Sequence, residues 1–172
     1  MNRRSWQKVQ VFSGGQDTKE HSMWEPYLRA GLPATTEEDR ARLETFAGGP
    51  LPSAYWELVQ AHQGEALEED LVQDPAFVAF VLLLVVPADR LGKSDASYSI
   101  DFCIKHTMPR YPAGLLPFAD DTGGNLWAFD YRADPASPSI AFIDHELDGE
   151  AGVTTVAPDF SALLARIGLT SL

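Results

Sequence analysis

Leu115-Leu116-Pro117-Phe118-Ala119-Asp120-Asp121-Thr122-Gly123-Gly124-Asn125-Leu126-Trp127-Ala128-Phe129-Asp130 is the stretch on which the fold turns. Two apolar runs, Leu115 to Ala119 and Leu126 to Asp130, flank a cluster of Asp, Thr, Gly and Asn, the composition of a turn between two strands. Asp and Asn tolerate a left-handed backbone and Gly adopts positive φ outright, so Gly123 or Gly124 is expected to take that conformation. Alternation puts Trp127 and Phe129 on one face of their strand and Leu126 and Ala128 on the other, and the large pair is expected to face the core.

Downstream, Asp134-Pro135-Ala136-Ser137-Pro138 supplies a second turn before a strand over Ile140 to Asp144, which extends the pattern into an antiparallel meander. Val153 to Val156 fits a further strand. Pro158 in a first helical turn, then Phe160, Leu163, Leu164 and Ile167 with Gly168 behind them, mark a closing amphipathic helix. Upstream, Thr35 followed by Glu38 reads as a capping box, and the acids Glu37, Glu38 and Asp39 suit a helix N-terminus. That helix runs to about Ala47, where Gly48-Gly49 offers a left-handed stop and Pro50-Leu51-Pro52 forbids continuation. Ser53 is the expected N-cap of a second helix whose Tyr55, Leu58, Val59 and His62 recur at helical spacing up to Gly64. The two helices are expected to pack on the sheet through Leu43, Phe46, Tyr55, Leu58 and Val59. The apolar run from Ala76 reads, over Val81 to Val86, as a strand buried on both faces and ended by Pro87.

The first 35 residues show no sustained periodicity beyond a strand at Val9 to Phe12 and read as an N-terminal extension or edge element. Residues 36–172 then form one domain. Helices, strands and a final helix in that order predict an α+β fold, an antiparallel sheet of about four to six strands packed against flanking helices.

The 172 residues carry 25 acids against 13 Lys plus Arg, a formal charge of −12 and a pI of about 4.6. Such a chain repels nucleic-acid phosphates and anionic membrane surfaces, so the expected partner is neutral or cationic. Ala76 to Ala88, the longest apolar run, falls short of the roughly 20 residues a membrane helix needs. Gln7, Lys8 and Gln10 stand where the apolar core of a signal peptide would be, and the single cysteine, Cys103, makes no intrachain disulfide. A cytoplasmic location is the expectation.

Three blocks resemble one family: Leu51-Pro52-Ser53-Ala54-Tyr55-Trp56-Glu57-Leu58, the hairpin quoted above, and Ile140-Ala141-Phe142-Ile143-Asp144-His145-Glu146. Their order and spacing are similar to those of the SUKH superfamily, also called the SMI/KNR family, over about Thr36 to Leu169. Leu51, Pro52 and Tyr55 match its LPxxY-type helix, and Pro117, Phe118, Gly123, Gly124 and Asn125 its hairpin motif. Where the family usually ends that helix in an Asn-Gly-Gly-type sequence, this chain has His62-Gln63-Gly64-Glu65. The resemblance implies a non-enzymatic binding protein: in bacteria an immunity protein against a polymorphic toxin, often a nuclease, and in fungi a regulatory scaffold.

Acids concentrate in two segments. Glu37 to Asp74 holds ten against Arg40 and Arg42, and Asp120 to Glu150 holds eight against Arg132. Either they keep the surface solvated or they form a face complementary to a basic partner. On the second reading Glu68, Glu69, Asp70, Asp120, Asp121, Asp144, His145 and Glu146 are the candidate partner-binding residues, and a basic toxin is the expected partner. The scaffold, binding a cellular peptide or enzyme, is the alternative; a hydrolase using a metal on the Asp144 to Glu150 acids is a distant third.

Residues 120–125 lack the ligand spacing of a calcium loop. Asp144 and His145, adjacent on a strand, point to opposite faces and do not readily converge on one ion. His145 is therefore expected to be structural or a partner contact, and Cys103, between Phe102 and Ile104, a small buried apolar residue. With no nucleophile elbow, Walker loop, HExxH or dinucleotide fingerprint in the sequence, no catalytic residue, metal or cofactor is expected.

Overall fold

The computed structural model describes residues 22–28, 31–72, 74–77 and 79–169. Among these residues seven strands form one antiparallel sheet in chain order: β1 (Trp24–Pro26), β2 (Glu65–Leu67), β3 (Val81–Leu82), β4 (Leu115–Asp120), β5 (Leu126–Asp130), β6 (Ser139–Ile143) and β7 (Val153–Ala157). Four α-helices among the described residues accompany it: α1 (Glu37–Ala47), α2 (Ser53–His62), α3 (Ile100–His106) and α4 (Phe160–Arg166). The class is α+β as expected, but the sheet has seven strands rather than four to six. β1 and β2 are three-residue strands, too short for a period of two to show in sequence. The strand expected at Val9 to Phe12 lies outside the described residues.

The meander β4 to β7 follows the turn chemistry closely. Leu126 to Asp130 is a strand at both predicted limits, paired with β4 on one side and β6 on the other. Pro117 sits in an interior strand although it has no N–H to donate, and the register shifts between Pro117 and Ala119, the irregularity at which proline is tolerated. Every residue of β5 is buried, because the sheet is covered on both faces. On one face Tyr55 of α2 meets Phe118 and Phe129 edge-on, at 5.7 and 4.9 Å between ring centroids, and Phe160 of α4 closes the cluster. Trp127 and Phe129 turn to that face, as alternation predicts. Asp120 and Leu126 are register partners and so share the opposite face; α3 packs there, its Cys103 close enough to Asp120 to feel the carboxylate.

The run from Val81 to Val86 is fully buried, as read, but only Val81 and Leu82 belong to the sheet. Beyond them Leu83 N–H donates to Phe118 O, while Leu84 bridges to Ser99 in parallel. Phe77 belongs to a turn of 3-10 helix, Pro75–Phe77.

Helix ends show where local signals yield to tertiary ones. The capping box is Thr36 with Asp39, one residue later than Thr35 with Glu38. Asp39 is only 3% exposed and its carboxylate accepts from Arg90 at 3.2 Å as well as from Thr36 N–H at 2.9 Å. That ion pair sets the start of α1, and Glu38 is left in solvent. Gly48 takes the expected left-handed conformation, φ 77°. Ser53 is the exposed first residue of α2, not its cap; Pro52 holds the cap position and makes no side-chain bond. In α4, Pro158 precedes the cap, and Asp159 accepts from Ala162 N–H at 2.8 Å. Leu43, Tyr55, Leu58 and Val59 are buried as predicted, whereas Phe46 is 46% exposed, on the outer side of α1.

Candidate interaction face

Strand direction gathers the acids. β2 runs toward one end of the sheet and β3 starts from it, since Ala66 pairs with Val81 and Val81 with Asp120, the last residue of β4. The β2–β3 connection (68–80), the β4–β5 turn (121–125) and the β6–β7 loop (144–152) therefore all emerge at that same end. They bring Glu68, Glu69, Asp70, Asp74, Asp121, Asp144, Glu146 and Asp148 together with Asp120 at the base, and the three connections contain no Lys or Arg; Glu150 instead folds back toward Asp130, with which it shares Arg132. The two acidic segments thus meet on one end of the fold, apart from the acids of α1, α2 and β2, from Asp130 and Asp134 at the sheet's other end, and from Glu150, which shares Arg132 with Asp130.

Three arginines reach in from elsewhere. Arg110 donates to Asp148 at 2.7 Å and to His145 O at 2.9 Å; Arg166 donates to Asp74 at 2.8 Å; Arg132 pairs with Glu150. The backbone N–H of Ala76 and the Arg166 guanidinium hold the Asp74 carboxyl below its usual range. Among the described residues Glu68, Glu69, Asp70, Asp121, Asp144 and Glu146 have no basic partner within salt-bridge distance. Glu69, Asp70 and Glu146 are exposed; the other three are half-buried.

The two hairpin loops are joined by one residue. Asp121 Oδ1 accepts from Gly123 N–H at 2.8 Å and Asn125 N–H at 2.9 Å, while its Oδ2 accepts from Asn125 Nδ2 at 2.6 Å. That leaves Asn125 Oδ1 facing the second loop, where it accepts from His145 N–H at 3.0 Å and meets His145 Nδ1 at 2.9 Å. An amide oxygen only accepts, so Nδ1 carries the proton in this contact. His145 thereby ties the β6–β7 loop to the β4–β5 turn. Asp144 turns the chain beyond it: its Oδ1 accepts from Glu146 N–H at 2.9 Å and its backbone O from Tyr111 Oη at 3.1 Å. Among the described residues no group of three or more His, Cys, Asp or Glu is placed to hold a metal ion.

Of the two candidate glycines, Gly124 has the positive φ, 104°, and a Cβ there would meet the His145 ring at 3.3 Å. Gly124→Val is expected to lose at least about 1 kcal/mol through backbone strain, with Gly123→Val milder, and denaturant midpoints measure both. Thr122 also has positive φ, 61°, a conformation no sequence signal predicts for a β-branched residue. Its N–H is held by Asp120 Oδ1 at 3.0 Å.

Asp120 itself lies half-buried under α3, and burial raises its carboxyl pKa, with the nearby Asp121 adding to the effect. A carboxyl whose pKa is raised on folding binds its proton more tightly in the native state, so its contribution to stability falls as pH rises through the folded value. Asp120→Asn, which keeps an acceptor for Thr122, is expected to be more stable than the wild type at pH 7. The gap should close as the pH is lowered toward about 4, where the unfolded carboxyl also protonates. Cys103 is buried as expected, and burial pushes its thiol up to about 12, far from a nucleophile's range.

The pattern that describes the SMI1 / KNR4 family (SUKH-1) matches residues 34–166, from the residues before α1 through the end of α4. The chain belongs to that family. No curated protein and no solved structure matches it. The SUKH-1 motif residues divide by role. Leu51, Tyr55, Pro117 and Phe118 are buried core, Pro52 starts α2, and Gly124 and Asn125 shape the turn that receives His145. Arg110 and Tyr111, which fasten the β6–β7 loop, carry no signal in the sequence, because a lone Arg-Tyr after Pro109 belongs to no recognisable motif. No helix among the described residues is long and apolar enough to cross a membrane.

Proposed function

We propose that this SUKH-1 chain is a binding protein that neutralises a basic protein toxin in the cytoplasm, using the acidic end of the sheet as its contact face. The convergence of three base-free acidic connections on one end carries the reading. Scattered solubilising acids need no common location, whereas a docking face for a cationic partner does. A nuclease is a fitting target, since a cleft that holds nucleic-acid phosphates must be cationic and an acidic plug competes for it. The rigid joining of the turn to the β6–β7 loop through Asn125 and His145 suits binding, because a face ordered beforehand loses less entropy on association. The family supports a role in binding.

The reading is tested in cells that produce a candidate secreted toxin taken from the genes neighbouring that of this chain. Expression of the wild type should restore growth, and the combined Glu68→Lys, Glu69→Lys, Asp70→Lys variant should restore it less well at equal abundance. Growth unaffected by the chain would favour the scaffold role instead.

A further inference from the structure

Residues 22–28 cover the open side of β2 and lie outside the span that the family pattern matches. Glu68 N–H donates to Met23 O at 3.0 Å, and Leu28 and Tyr27 N–H donate to Gly64 O at 3.0 and 3.3 Å. Met23 and Trp24 are each only 5% exposed. The Trp24 ring stacks on His62 at 5.4 Å and leans on Phe80 at 6.3 Å. The segment therefore occupies the edge of the sheet as an added strand with one aromatic anchor.

Its fit is incomplete at two places. Among the described residues no hydrogen-bond partner meets the buried Trp24 Nε1, although an indole N–H taken out of water needs one. Glu25 pairs with Ala66, so by alternation it shares a sheet face with Glu68, a like charge on the diagonal. A phenyl ring in place of the indole and a cation in place of Glu25 would remove both defects.

The geometry points to the β2 edge as a strand-addition site for an extended partner peptide, one that carries a phenylalanine-like anchor followed by Lys or Arg and displaces residues 22–28. Strand addition takes affinity from main-chain hydrogen bonds and specificity from the pocket that receives the anchor. Here that pocket is formed by His62 and Phe80. The resident strand is tethered and so competes at high effective concentration, which keeps the site closed to weak ligands. This inference stands apart from the toxin reading, since it uses the sheet edge and not its acidic end.

The probe is a synthetic peptide with the sequence of residues 22–28 carrying Trp24→Phe and Glu25→Lys, offered to the full-length chain. It should bind the Trp24→Ala variant at least tenfold more tightly than the wild type, and a scrambled peptide should bind neither. Equal binding to both chains, or none to a folded Trp24→Ala variant, overturns the proposal. Should that variant fail to fold, amide exchange of the wild-type chain decides: the Glu68 amide, held by Met23, should exchange at least tenfold faster than that of Ala128 in β5. Equal protection of the two amides would overturn strand displacement.

Discussion

Phe118→Ala is expected to lower the unfolding free energy by about 3 to 5 kcal/mol, the range for large aromatic truncations in a packed core. Phe118 is fully buried and its ring touches those of Tyr55, Phe80, Phe129 and Phe160, so it joins β4 to α2, α4 and the segment before β3. Four elements lose a common neighbour at once, and a rigid sheet cannot close the cavity by moving one helix. Denaturant unfolding followed by near-ultraviolet circular dichroism measures the loss. A change below about half a kilocalorie, the size typical of surface substitutions, would mean that the aromatic cluster is not packed as described.

Gly49→Ala is the second large expectation, upwards of about 2 kcal/mol from a single methyl group. Gly49 lies at the corner between α1 and α2, where an added Cβ would overlap the Pro135 carbonyl and approach the Tyr131 ring to 2.9 Å. Neither neighbour yields easily. Pro135 belongs to the backbone of the β5–β6 turn, and Tyr131, itself buried, donates its hydroxyl to Pro50 O at 3.0 Å. The methyl would thus drive the helical corner away from the sheet and break that bond. Gly48→Ala makes a useful contrast, since nothing lies within 4 Å of its Cβ and its strain is purely that of a left-handed backbone. Melting temperatures should rank wild type, Gly48→Ala and Gly49→Ala in descending order.

What the sequence made legible was local. The β4–β5 hairpin could be read because Asp121, Gly124 and Asn125 build the turn from their own side chains and backbone freedom. The α1–α2 corner could be read because glycine and proline punctuate it. The start of α1 was misplaced by one residue because its cap is fixed by Arg90, far along the chain. α3 has only seven residues, so Ile100, Cys103 and Ile104 at helical spacing make a single turn too short to stand out as a period. The long apolar run before Pro87 reported burial correctly but not pairing, since hydrophobicity alone does not distinguish a strand from an extended segment threaded between layers. The individual acids of the candidate face were visible from composition. Their meeting at one end was not, because it depends on which way each strand runs. His145 could be foreseen as structural or contacting, but its partner Asn125 could not be assigned until the two loops stood side by side.

The central claim, that the acidic end of the sheet steers a basic partner onto it, is tested most directly by association kinetics with a cognate toxin identified from the genes neighbouring that of this chain. Exposed and half-buried acids of one sign attract a cationic partner over a distance that salt shortens, to a screening length of about 8 Å at physiological ionic strength. The wild-type association rate should therefore fall steeply between low and physiological salt. Two variants, Glu68→Lys with Glu69→Lys and Asp70→Lys, and Asp144→Lys with Glu146→Lys, should each slow association and flatten that dependence. Association rates and salt dependence unchanged in both variants would contradict the claim and leave the acids with no role beyond solvation.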